Sequence, residues 1–485
     1  MFFRQVFDEK LAQYAYLIGC QATGEAIVID PERDIDQYVK IATGEGLEIV
    51  AVTETHIHAD FLSGSREFAE QHDVHVYLSD EGDADWKYEW VKKGDYNYTL
   101  LKDGDAFKIG NIELRAVHTP GHTPEHLSFL VTDLGGGANE PMGMASGDFV
   151  FVGDLGRPDL LESAAGVQGA MEPSARVLHS SVQEFLKLPD YMQIWPGHGA
   201  GSACGKALGA VPETTVGYER RFNAAIQTAI EGEADFVNYI LEGQPEPPMY
   251  FARMKRDNKI GPPVLGSLPQ PQLLTARELV KLSDRTDIAV LDTRLDRTAF
   301  MAGHLPGSIF APLNKTFPTI AGSYVDEGVP IYLVVEEKEL MDAVRSLVRI
   351  GLDEVAGYAT PDTLLVYDET HGKLHSIEEV KFDSVKAHGN VGDVDVLDVR
   401  GISEYQEGHV PNALNIAHTR LFLRCDELPK NRKLLVHCGT GARAASAASL
   451  LSRSGRTVSL VNDEWTNWAQ MGEVVTGSPE LETTG

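Results

Sequence analysis

The stretch T-H-I-H-A-D-F-L-S-G, Thr55 to Gly64, decides the reading of the N-terminal half of the chain. It follows the apolar run EIVAVTET, which reads as a strand bounded by turn signals. His56, His58 and Asp60 therefore stand in the loop at a strand end, where the backbone is free to aim side chains at one point. Three further loops carry matching residue types. His122 lies in HTPGHTPEH, Asp148 in ASGDFVFVGD and His198 in WPGHGAG, each beside Gly or Pro and each after a strand-like run. One histidine is usually a packing residue. Four such loops in one segment point to a metal site.

Working outward, YAYLIG, EAIVID, DAFKIGNIELRAVHT, HLSFLVTD and FVFVG read as strands, and FLSGSREFAEQH and PSARVLHSSVQEFLKL have helical spacing. Strand runs punctuated by helices predict a layered sandwich of helices on sheets over residues 1–245. A Pro- and Gly-rich stretch, residues 246–272, reads as a linker or arm. Beyond it the chain repeats itself. IAVLDTRLDRTAFMAGHLPGSIFAPL (288–313) matches VDVLDVRGISEYQEGHVPNALNIAH (394–418), each with a strand, Asp-x-Arg, a helical stretch and Gly-His-x-Pro. Two α/β units follow, at 273–366 and 374–478, and the Asp292/Arg294 and Asp398/Arg400 pairs read as ion pairs that fix a loop.

In the last unit, LLVHCGTGARAA places Cys438 at the end of a strand. Gly439, Thr440, Gly441 and Ala442 follow, and Arg443 opens an Ala-rich helix. Successive loop N–H groups and the positive helix end make an anion nest, so Cys438 is expected to be an activated thiolate. Arg443 is expected to offer a fork to an anionic substrate. This unit resembles the rhodanese family of sulfurtransferases, in which the cysteine carries a persulfide sulfur. Cys438 to Arg443 spans six residues, whereas the related phosphatases use a seven-residue cradle. The middle unit has Glu336 where the cysteine belongs and no glycine nest, so it resembles an inactive rhodanese, with a spacer, docking or dimer surface as its expected role.

The N-terminal segment resembles the metallo-β-lactamase superfamily. The implied fold class is α/β, an N-terminal αββα metallo-β-lactamase sandwich followed by two rhodanese-like α/β domains. In a two-metal member His56, His58 and His122 make one site, Asp148 bridges, and Asp60, residue 61 and His198 complete the second. Phe61 cannot coordinate, which predicts a single metal. Two sets remain open on the residues. Three histidines and a carboxylate suit zinc and hydrolysis; His56, His122 and Asp148 alone form the two-histidine, one-carboxylate set of a non-haem Fe(II) oxygenase.

GDFVFVGDLGRPD and PGHGAGSACGKAL resemble the persulfide dioxygenase branch of the superfamily. That resemblance implies one Fe(II) per chain on His56, His122 and Asp148. His58, Asp60, Phe61 and His198 then belong to the surroundings of the metal or to a vacant second site. It also implies that Arg157 holds the carboxylate of a thiol substrate; pairing with Asp154 or Asp159 is the alternative. Branch members keep a histidine where Phe61 stands, so this chain departs from the pattern. His118 and His126 are expected to pack, and Cys204, six residues after His198, has a weaker claim on the site.

The implied reaction takes a low-molecular-weight persulfide, of glutathione, coenzyme A or bacillithiol, and O₂ to sulfite and thiol. Sulfur carried on Cys438 then gives thiosulfate. The competing readings are a zinc thioester hydrolase resembling glyoxalase II, with appended rhodanese units, and a sulfur carrier in which Cys438 alone matters. A net charge of −30 over 485 residues argues against nucleic acid and anionic membranes as partners. Four cysteines, no apolar run of spanning length and an acidic N-terminus predict a cytoplasmic protein.

Overall fold

In a computed structural model the chain divides into two compact units, Met1–Leu268 with Val348–Gly351, and Pro269–Leu347 with Leu352–Gly485. The structure describes every residue except 164–168, 245, 284, 389–391 and 478–485, so the expected boundaries at 245 and 478 lie outside the described residues.

The first unit holds two six-stranded sheets. One runs in chain order from Phe2–Asp8 through Gln13–Cys20, Glu25–Ile29, Glu48–Thr53 and His75–Ser79 to Tyr98–Leu101. The other is ordered Thr214–Thr215, Gln193–Pro196, Gly143–Gly147, Leu127–Asp133, Ile112–His118, Ala106–Ile109. Strand Gln13–Cys20 is buried at all eight positions because both faces are covered. Tyr14, Tyr16 and Ile18 enter the core between the sheets with Leu114, Phe129 and Trp195. The alternate Ala15 and Leu17 face a second core with Tyr38 and Phe68, from helices Asp36–Gly44 and Ser65–His72. The period of two along one strand thus serves two cores. The outer face of the second sheet is covered by helices Met171–Phe185, Ala224–Glu231 and Glu233–Leu241. The result is the αββα sandwich.

Where the sequence reads as linker or arm, the structure has a ten-residue helix, Phe251–Ile260. It buries Phe251, Met254, Asp257 and Asn258, one helical face. The flanking prolines fall outside it.

The second unit contains two five-stranded sheets of parallel strands. Their orders are Gln272–Leu273, Val355–Ala359, Ile331–Val334, Ala289–Asp292, Ile309–Phe310 and Glu378–Val380, Val458–Val461, Lys433–His437, Val394–Asp398, Leu414–Asn415. Numbered along each half, both read 1-5-4-2-3. Each half repeats the same ion pair. Arg294 reaches Asp292 at 2.7 Å and the Gly303 carbonyl at 2.9 Å, and Arg400 reaches Asp398 at 2.6 Å and the Gly408 carbonyl at 2.7 Å. Among the described residues no helix is long and apolar enough to cross a membrane.

Candidate metal centre and cysteine loop

Three strand ends of the first unit converge on one buried point. His56 follows strand Glu48–Thr53, His122 follows Ile112–His118, and Asp148 follows Gly143–Gly147. Their ligand atoms lie within 4.8 Å of one another. His122 Nε2 is 3.5 Å and His56 Nε2 3.9 Å from Asp148 Oδ2. The other ring nitrogens are engaged elsewhere: His122 Nδ1 with the Arg157 carbonyl at 3.0 Å, His56 Nδ1 with the Thr55 hydroxyl at 3.0 Å. Both histidines thus present Nε2 to the centre. Neither carboxylate oxygen of Asp148 has a hydrogen-bond partner although the residue is buried. An uncommitted carboxylate facing two imidazoles fits a divalent cation, which would satisfy all three at once. Burial raises Asp148 to about 6, against the charge of His198, and lowers His122 to about 4.

His58 does not join this group. Its Nε2 lies 3.0 Å from Asp30 Oδ1, and its ring packs against Phe61 in a tilted pair with centroids 4.3 Å apart. Burial disfavours its cation, but Asp30, Glu54 and Asp60 outweigh that and lift it to about 9. Asp30 also binds the Thr55 amide at 2.6 Å and the Thr55 hydroxyl at 2.9 Å, so one carboxylate holds both flanks of His56. Asp60 and His198 face each other at 3.2 Å, and His198 lies 3.5 Å from Asp148. With buried Cys204 they form a second group whose ligand atoms lie within 4.8 Å of one another. Burial, with the nearby Asp60 and Asp148 carboxylates, raises the Cys204 thiol. The side chain read as having a weaker claim stands in the site.

Arg157, expected to hold a substrate carboxylate or else to pair with Asp154 or Asp159, pairs with Asp159. Its guanidinium is wholly buried and spent on Asp159 (2.7 Å) and the Ala203 carbonyl (3.0 Å), leaving no fork for a carboxylate. It acts through its own carbonyl, on His122. His126, expected to pack, accepts the Asp148 amide at Nε2, 3.1 Å away. Gly147, just before Asp148, has φ +51°, and a Cβ there would lie 2.5 Å from the Thr55 hydroxyl. Only glycine lets these loops touch.

Two braces were not read from the sequence at all. Asn258 donates to the carbonyls of His58 (2.8 Å) and Phe61 (2.7 Å) and accepts the Ser63 amide (2.9 Å). Glu125 accepts the Ile57 amide at 2.7 Å, between the two histidines.

In the second unit, Cys438 is buried between strand Lys433–His437 and helix Ala442–Arg453. Gly441 caps that helix at φ +85°. Arg443 Nη1 and Nη2 are both held by Glu404, at 2.6 and 2.7 Å. The fork expected to be free for an anion is therefore engaged by a carboxylate from the helix Ile402–Glu407. The Trp465 amide holds the Gly439 carbonyl at 2.8 Å.

Residues 9–198 match the family model of the metallo-β-lactamase superfamily and residues 381–471 that of the rhodanese-like domain. A crystal structure of a metallo-β-lactamase from Staphylococcus aureus subsp. aureus COL is 41% identical, with a TM-score of 0.66. It covers 74% of this chain and 99% of its own. The chain belongs to the metallo-β-lactamase superfamily. This superfamily member also carries a rhodanese-like domain. Bovine (Bos taurus) mitochondrial persulfide dioxygenase ETHE1 is 28% identical over 200 residues, 40% of this chain and 67% of that protein. The probable polyketide biosynthesis zinc-dependent hydrolase BaeB of Bacillus velezensis is 22% identical over 236 residues, 48% of this chain and 90% of its own. The metallo-β-lactamase fold with its His–His–Asp group thus has relatives of both chemistries.

Proposed function

We propose that the chain is a mononuclear non-haem iron persulfide dioxygenase joined to a cysteine-persulfide sulfurtransferase. The observation that carries the reading is the group His56, His122 and Asp148, with His58 committed to Asp30 instead. Two imidazoles and one carboxylate are the donor set of oxygenase iron, and Fe(II) there supplies the activation of dioxygen. Similarity to the bovine persulfide dioxygenase supports the same assignment.

The net oxidation is RSSH + O₂ + H₂O → RSH + SO₃²⁻ + 2H⁺. The chain's part is to keep the two Nε2 atoms inward, through the Arg157 carbonyl and the Thr55 hydroxyl, and to place Asp148 through its amide on His126. In the rhodanese-like domain the Cys438 thiolate attacks the sulfane sulfur of RSSH, forming Cys–S–S⁻ and releasing RSH. Sulfite then takes the outer sulfur, giving S₂O₃²⁻ and regenerating the thiolate.

A second reading is favoured by the Asp60, His198 and Cys204 group: a metal-dependent thioester hydrolase, in line with the similarity to the zinc-dependent hydrolase. One experiment separates them. Fe(II)-loaded protein is placed in an oxygen electrode with glutathione persulfide, then coenzyme A persulfide. Oxygen uptake with sulfite formation, lost in His122→Ala, is the expected result. Absence of uptake with either persulfide, together with cleavage of an acyl-glutathione thioester, overturns the dioxygenase.

A further inference from the structure

The cysteine-less half of the second unit reaches into the loop of the other half. Arg297, the first residue of helix Arg297–Ala302, donates from Nη2 to the carbonyl of Thr440 at 3.0 Å and from Nε to Asn462 Oδ1 at 2.8 Å. Thr440 is the third residue of the six that run from Cys438 to Arg443. Asn462 is itself held, its Nδ2 donating to Glu379 at 2.6 Å. It also walls the loop: a Cβ on Gly441 would lie 2.8 Å from Asn462 Oδ1 and 3.6 Å from Arg297 Nε.

We propose that Arg297 is a positioning residue for the Cys438 loop, which it sets in its anion-binding form from the opposite repeat. The peptide between Thr440 and Gly441 is trans, so its carbonyl and its N–H point in opposite directions. Fixing the Thr440 carbonyl on Arg297 turns the Gly441 N–H away from Arg297, toward the ligand side of the nest. Gly441, at φ +85°, makes that orientation accessible, and a glycine peptide left unpinned is free to flip. The loop is otherwise held at Gly439 by Trp465, at the Gly441 carbonyl by the Ala445 amide and at Arg443 by Glu404, and it is Arg297 that reaches the Thr440 carbonyl. The inference rests on the sulfurtransferase reading of this loop and assigns the cysteine-less repeat a part in that site.

The test uses the full-length protein and two alkylating agents of similar size. Iodoacetate is an anion and iodoacetamide is neutral, and modification of Cys438 is followed by mass spectrometry of its peptide. The wild type is expected to favour iodoacetate. In Arg297→Met the iodoacetate-to-iodoacetamide rate ratio at Cys438 is expected to fall about tenfold, the scale of one pinned hydrogen bond. The iodoacetamide rate should stay within about twofold, and the KM for thiosulfate should rise more than kcat falls. Arg297→Lys, which keeps a donor for Thr440, should recover part of the ratio. Thr298→Val, which loses the bonds of its hydroxyl to Glu379 and to Asn462 Nδ2 while keeping both Arg297 hydrogen bonds and Asn462 Oδ1 in place, should leave it unchanged.

A wild-type ratio kept in Arg297→Met, or an equal fall in Thr298→Val, overturns the proposal and leaves Arg297 as a tether between the repeats. A wild type without preference for iodoacetate overturns the anion nest itself. Because alkylation needs no turnover, that outcome is distinct from failure of the sulfurtransferase assignment.

Discussion

Asn258 shows how much of the metal centre depends on a side chain outside its motifs. One carboxamide satisfies three backbone groups of the loop that carries His58, Asp60 and Phe61. Asn258→Ala would leave two carbonyls and an amide buried without partners, a loss of about 2–4 kcal/mol. Urea unfolding should register it, and metal retention during dialysis should weaken with it. Glu125 makes a pH test at the same loop. Burial lifts its carboxyl from 4.5 to about 7, against the hydrogen bond from Ile57. A folded value above the unfolded one means that the native state binds the extra proton. Stability owed to Glu125 therefore grows as pH falls from about 7 toward 4.5 and is lost as pH rises through 7. The stability of metal-free wild type minus that of Glu125→Gln should rise by about 2–3 kcal/mol between pH 8 and 5. A flat difference would show that the carboxyl titrates normally. At the other site Glu404, which holds Arg443, would compete with an anionic substrate for it. The pair is partly exposed, so its strength is small, and Glu404→Gln should lower the KM for thiosulfate about threefold. A raised KM would instead assign Glu404 to orienting the guanidinium.

At the scale of elements, the strand-loop-helix around Cys438 was legible because its chemistry is local. An apolar strand, a glycine-spaced loop and an Ala-rich helix specify the turn without help from elsewhere. Gly441→Ala tests that element. A left-handed φ and a Cβ 2.8 Å from Asn462 Oδ1 predict a loss of about 1–3 kcal/mol on thermal unfolding and a marked fall in sulfur transfer. Fe(II)-dependent oxygen uptake should be unchanged. Helix Phe251–Ile260 was not legible, since prolines on both sides and few apolar residues make its sequence look like connecting chain. It is helical because the first unit buries one face of it, a tertiary gain that local propensity does not report.

Across the whole molecule the two proposed chemistries should be separable. Removing metal with a chelator should abolish oxygen uptake while leaving the Cys438 alkylation ratio as it was. Cys438→Ser should do the reverse, with sulfite accumulating in place of thiosulfate. Thiosulfate formed by Cys438→Ser at the wild-type rate would break the proposed relay. The sequence by itself determined the layered α/β architecture, the internal repeat, the strand-end loops bearing His56, His122 and Asp148, and the Cys438 loop. Each is written in residues close together or in a pattern of period two or 3.6, which a one-dimensional reading can follow. Only the tertiary structure decided that His58 turns to Asp30, that Arg157 is spent on Asp159, that Cys204 enters the metal site and that Glu404 holds Arg443. It alone brought Arg297 to Thr440 across 143 residues and Asn258 to His58 across 200. Such contacts join polar groups far apart in the chain, and what selects them is the need to satisfy each donor and acceptor once folding has removed it from water.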